Sequence, residues 1–121
     1  MSIILHITQR EQWEQAKLVQ VYRGDTLDTE GFIHCSTPLQ VIKVANTFFL
    51  GQKGLLLLCI DSDKVQAEIR YEGLEKEYFP HIYGPLNPDA VFKVFDFEPG
   101  EDGKFELPEK INPEMILENH G

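Results

Sequence analysis

The sequence predicts an α+β fold: a mostly antiparallel sheet, with two helices in the first half of the chain and most strands in the second. Three observations carry that prediction. The run Leu55-Leu56-Leu57-Leu58-Cys59-Ile60 reads as a strand buried on both faces. Val65, Ala67, Ile69 and Tyr71 alternate with Gln66, Glu68, Arg70 and Glu72, the period of a strand buried on one face. Val41, Ile42, Val44, Ala45, Phe48 and Phe49 recur at helical spacing.

The remaining elements follow in order. Residues 3–7 are apolar or β-branched enough for a first strand. Thr8-Gln9-Arg10-Glu11 spells a capping box, so a helix should start there, turn Trp13 and Ala16 inward and stop before the β-rich residues 18–22. Gly24-Asp25 marks a turn, and residues 31–35 form a second strand. Thr37 at N-cap, Pro38 at N1 and Gln40 at N3 should open the second helix, which Gly51 and Gly54 close. Asp61-Ser62-Asp63 turns the chain. Two further strands, 79–83 and 91–97, flank a loop punctuated by Gly84-Pro85 and Asn87-Pro88. One domain spans 1–121, with its core at 3–97. The acidic extension 98–121 should wrap the surface and fray at its end.

Composition narrows the function. The chain has 121 residues, 42% hydrophobic and 26% charged, as a packed domain does. Its formal charge of −9 disfavours a nucleic-acid partner, since counterion release rewards Lys and Arg. No apolar run approaches the roughly 20 residues that span a bilayer, so no membrane association is expected. The N-terminus lacks a basic n-region, and Cys35 and Cys59 sit inside apolar segments; both point to a reducing cytoplasm.

His6 and His34 share a local setting, each shortly before a capped helix start marked by Thr8 and by Ser36-Thr37. Helix N-terminal amides attract phosphate or carboxylate, so two such ends would frame an anion-tolerant cleft holding two imidazoles. In that setting the helix dipole and burial should both keep His34, and with it His6, neutral at pH 7 and able to accept a hydroxyl proton. The alternative is a core histidine satisfied by a backbone carbonyl. His81 and Tyr83 could line a pocket or merely brace the Gly84-Pro85 turn. Glu72 could hold a ribose hydroxyl or act as a base; alternatively it is a solvated strand end paired with Arg70. Glu68, Glu72, Glu75 and Glu77 read most simply as a solvated edge. Without H-x-H or H-x-x-x-H spacing, a zinc-dependent hydrolase is the weaker alternative and no metal is expected. There is no nucleophile elbow, P-loop or GxGxxG.

Gly31-Phe32-Ile33-His34-Cys35-Ser36-Thr37 with Gln40, Tyr71-Glu72, and Phe79-Pro80-His81-Ile82-Tyr83-Gly84-Pro85-Leu86 resemble the DUF952 family. His6-Ile7-Thr8 followed by Trp13 matches it too, and the resemblance runs from about residue 4 to 95. It implies an ADP-ribosyltransferase-like split sheet that holds NAD in a cleft. On that resemblance His6 corresponds to a ribose-binding histidine of the first strand, and His34 falls at or beside a nicotinamide-stacking tyrosine. The transferase glutamate of the fifth strand has no certain counterpart: Glu72 precedes it, and His81 and Tyr83 stand where it is sought. The expectation is a protein that binds NAD or another small nucleotide-like ligand and leans towards transfer of ADP-ribose or action on a phosphate. His6, His34 and Glu72 would be catalytic, with Thr8, Ser36, Thr37, His81 and Tyr83 binding the ligand. The alternative is a non-enzymatic small-anion or protein-binding module on the same fold.

Overall fold

The computed structural model describes residues 2–73, 76–109 and 111. The elements run β1 (Ile3–Gln9), α1 (Arg10–Val19), α2 (Leu27–Glu30), β2 (Ile33–His34), α3 (Val41–Phe48), β3 (Leu55–Asp61), β4 (Glu68–Glu72), β5 (Phe79–Tyr83) and β6 (Val91–Phe97). They make two antiparallel three-stranded sheets, ordered β1-β3-β6 and β2-β5-β4. A bridge between Leu5 and Ser36 links them. The α+β class and the antiparallel pairing are therefore as the sequence predicts.

β3 is the central strand of its sheet and is buried along its whole length. Alternation sends Leu56, Leu58 and Ile60 to one face and Leu55, Leu57 and Cys59 to the other. On the first face they meet Ile33, Ile69 and Ile82 from the second sheet, with Trp13 and Ala16 of α1. On the second face they meet Val41 and Ala45 of α3. The layers are thus α3, the first sheet, then the second sheet with α1 beside it. Among the described residues, nothing packs over the outer face of the second sheet as the first sheet packs over its inner one. Among the described residues no helix is long and apolar enough to cross a membrane.

Four local expectations need correction. Thr8 does not cap α1. β1 runs on to Gln9 because β3 continues opposite it, pairing Thr8 with Leu56 and Gln9 with Leu55, and Gln9 makes no side-chain cap. Ladder pairing takes the residues that a capping box would have used. α1 also runs on through Leu18 and Val19, whose side chains are exposed, and ends where Gln20 adopts φ 64°. α3 starts at Val41, after a turn in which Gln40 and Val41 both donate to the Thr37 carbonyl. Half of the expected box survives there, since Gln40 Oε1 accepts from the Thr37 amide at 3.0 Å. Finally, the extension is core as well as surface. Phe105 is buried and stacks on Phe97 with ring centroids 4.7 Å apart, and Ile111 is buried in the same cluster. The fraying expected at 119–121 lies outside the described residues.

Candidate functional site

The outer face of the second sheet collects chemistry. Pairing between β4 and β5 sets Glu68 opposite Tyr83, Arg70 opposite His81 and Glu72 opposite Phe79; β2 sets His34 opposite His81. Paired residues share a face, so all of these point away from Ile33, Ile69 and Ile82 in the core. Phe32, two residues before His34, joins them. Its ring stacks on His81 at 4.2 Å and 16°, meets His34 edge-on at 4.8 Å and lies 5.2 Å from Tyr83. The His34 and His81 rings are 5.3 Å apart.

Glu72 ties this face together. One oxygen, Oε1, lies 3.1 Å from His81 Nδ1 and also accepts the Tyr83 hydroxyl. These two hydrogen bonds, Tyr83's first, hold the Glu72 carboxyl below its ordinary range, and the same contact pushes the Tyr83 phenol up. Arg70 does not pair with Glu72. It pairs with Glu68 at 2.9 Å and lies 4.3 Å over the Tyr83 ring. Both glutamates stand two residues from Arg70 on one face, and Glu72 is already engaged by Tyr83 and His81.

His6 lies elsewhere. It sits on the core-directed face of β1, with Nδ1 2.5 Å from the His34 carbonyl and Nε2 2.7 Å from the Tyr22 hydroxyl. Desolvation holds its pKa down at about 4. A neutral imidazole has one proton and the carbonyl only accepts, so Nδ1 carries that proton. Thr8 shares the cluster, 2.8 Å from the Tyr22 hydroxyl and 2.9 Å from Gln12 Oε1. Gln12 in turn donates to Asp25.

The structure therefore gathers His34, Glu72, His81 and Tyr83 on one face and sets the half-buried His6 and the buried Thr8 apart on the core-directed face of β1. Ser36 is buried and exchanges backbone hydrogen bonds with Leu5 at 2.7 and 2.8 Å. Thr37 leads into α3 next to it. His34 is half exposed, with Nε2 3.2 Å from Glu30. Sequence reasoning missed Phe32 as a site residue, although its two-residue offset from His34 was a usable signal. It also missed Tyr22, whose role depends on a distant bridge to Leu86. Of the acidic cluster, Glu77 pairs with Lys43 at 2.5 Å and Glu75 lies outside the described residues.

Among the described residues, no group of three or more His, Cys, Asp or Glu is placed to hold a metal ion. Two shallow hollows open elsewhere. One lies between α1 and residues 21–24, the other between Lys17, Gln20, Gln66 and residues 87–89. Neither includes His34, Glu72 or His81. Cys35 and Cys59 are buried free thiols, and desolvation pushes Cys59 up to about 12, so neither is a ready nucleophile.

A mixed α/β domain with antiparallel sheets and an exposed histidine–glutamate–tyrosine face is the class that fold and site define. The chain belongs to the DUF952 family, described as a protein of unknown function, whose model matches residues 7–94. Among solved structures it is similar to protein CC0527 from Caulobacter crescentus. The crystal structure of that protein is 29% identical with a TM-score of 0.83, covering 91% of this chain and 98% of that one. Its solution structure is 31% identical with a TM-score of 0.76, covering 88% and 94%. No curated protein matches the chain.

Proposed function

We propose that the outer face of the β2-β5-β4 sheet binds a small nucleotide-like ligand, with NAD the first candidate, on an ADP-ribosyltransferase-like fold. The reaction would transfer ADP-ribose or act on a phosphate. The observation that carries this reading is the Glu72 carboxylate shared by His81 and Tyr83 beside the Phe32 ring. Phe32 and Tyr83 offer aromatic surface to a planar base or nicotinamide, and Arg70 offers the nearby positive charge a phosphate needs. His34 closes one side. The amides of Ser36, Thr37, Gln40 and Val41 are already bonded within the protein, so the anionic part of such a ligand would rest on Arg70. His6 supports the site from behind through the His34 carbonyl. Buried free thiols agree with a reducing cytoplasmic compartment.

Titration of NAD, ADP-ribose and nicotinamide into ¹⁵N-labelled protein tests this. Amides of residues 32–37 and 79–83 should shift together. If none moves at millimolar ligand, the reading is wrong.

A second reading has its own support. Glu68, Arg70 and His34 on this face are exposed, whereas small-molecule sites usually bury most of their ligand. A binding module for a small anion or a protein would need no deeper cleft. Ligand-induced shifts without NAD consumption would favour it.

A further inference from the structure

We infer that His81 is the proton-transfer group of this face, and that Glu72 and Tyr83 are the residues that position it. The inference rests on the face being a reaction site, but not on which ligand it takes. Among the three imidazoles near β1, β2 and β5, His81 is the more enclosed of the two that keep a free nitrogen. His6 has both nitrogens engaged inside the protein. His34 touches Phe32 and His81 by its edge and Glu30 through Nε2, but half of its side chain is exposed. His81 is held on three sides: Phe32 stacks on its face, His34 meets it edge-on, and Glu72 Oε1 lies 3.1 Å from Nδ1.

An ionised carboxylate only accepts, so Nδ1 of the neutral ring bears the hydrogen and Nε2 keeps its lone pair. Nε2 has no hydrogen-bond partner among the described residues. No buried side-chain polar atom there lacks a partner, so Nε2 reaches the surface. Its lone pair can then take the proton of a bound hydroxyl or water as that oxygen attacks the ligand. The imidazolium that forms keeps its Nδ1 hydrogen on Glu72, whose negative charge stabilises it. Nε2 afterwards returns the proton to the departing group, leaving the ring neutral again. Tyr83 donates to the same Glu72 oxygen and fixes where that oxygen stands. Arg70 over the Tyr83 ring and Glu68 beside Arg70 complete the charges on this face.

The tautomer is directly measurable. Long-range ¹H–¹⁵N correlation of the imidazoles in wild-type protein, above the pH at which they titrate, should show His81 as the Nδ1–H form. Glu72→Ala should move it towards the Nε2–H form that free histidine favours. Tyr83→Phe should leave the form unchanged, since the Nδ1 contact remains. A wild-type His81 in the Nε2–H form overturns the inference even if Glu72→Ala does not fold. Diethyl pyrocarbonate adds a second readout: its carbonyl should be attacked at Nε2 of His81, while His6 stays unmodified. A His81 as resistant as His6 would also overturn the assignment. Neither measurement uses NAD, so a failed NAD titration with a passing tautomer leaves a proton-transfer site for another ligand.

Discussion

His6 donates from Nδ1 to the backbone carbonyl of His34 across 2.5 Å, joining β1 to β2 where the two sheets meet. The side chain of one histidine thus fixes the backbone of the other. His6→Ala would leave that carbonyl without this partner, while the Tyr22 hydroxyl keeps Thr8. A polar group left unsatisfied away from water costs about 1–3 kcal/mol, so a stability loss of about 1–2 kcal/mol is expected. Urea denaturation measures it, and a loss below about 0.5 kcal/mol would contradict the joining role.

The same ring sets a pH dependence. Burial lowers its folded pKa to about 4, against the ordinary histidine value of 6.5. Between those values the unfolded chain binds the proton and the folded one does not. Stability is therefore full above pH 6.5, falls as the pH drops below it, and levels off for this group near 4. The full effect is about 3 kcal/mol at 1.36 kcal/mol for each pH unit. Denaturation at pH 7, 6 and 5 should trace the fall, and His6→Gln should flatten it. An unchanged slope in that variant would assign the dependence elsewhere.

Glu72 and Tyr83 are coupled in a way an alkaline titration can see. The hydrogen bond to Glu72 is the largest cause of the raised Tyr83 phenol. Glu72→Ala should let one tyrosine ionise at lower pH in phenolate absorbance, and Tyr83→Phe should remove that tyrosine from the curve. Identical curves for wild type and Glu72→Ala would mean the bond does not persist in solution.

Phe105 tests the extension. It is buried against Phe97, so Phe105→Ala should cost about 3–5 kcal/mol, as large aromatic truncations in cores do. A cost under about 1 kcal/mol would return the segment to the surface role its acidic composition suggested.

The sequence made the strands legible wherever burial set a simple pattern. β3, β5 and β6 fall where continuous or bounded apolar runs predict them. Errors arose where a local signal competed with a distant partner. Thr8 and Glu11 make sound capping grammar, yet pairing with Leu56 claims Thr8. Two-residue offsets could place His81 with Tyr83, and Phe32 with His34. Nothing local could tell that Glu72 would reach those histidines' face across β4 and β5, or that His6 would bond inward, because both depend on register and on how the two sheets meet. Arg70 shows the same limit: its spacing to Glu68 and Glu72 is equal, and only the engagement of Glu72 decides between them.

β3 has a thermodynamic consequence beyond its packing. Its leucines serve both hydrophobic clusters in turn, so neither side of the molecule owns the strand. Peeling away α3 and the extension would strip Leu55 and Leu57, while lifting off the second sheet would strip Leu56 and Leu58, their immediate chain neighbours. Local opening of either side therefore undermines the support of the other, and cooperativity spreads through one strand. The backbone amides of β3 should exchange with solvent only when the whole domain unfolds, making this strand the last part of the molecule to surrender its hydrogens.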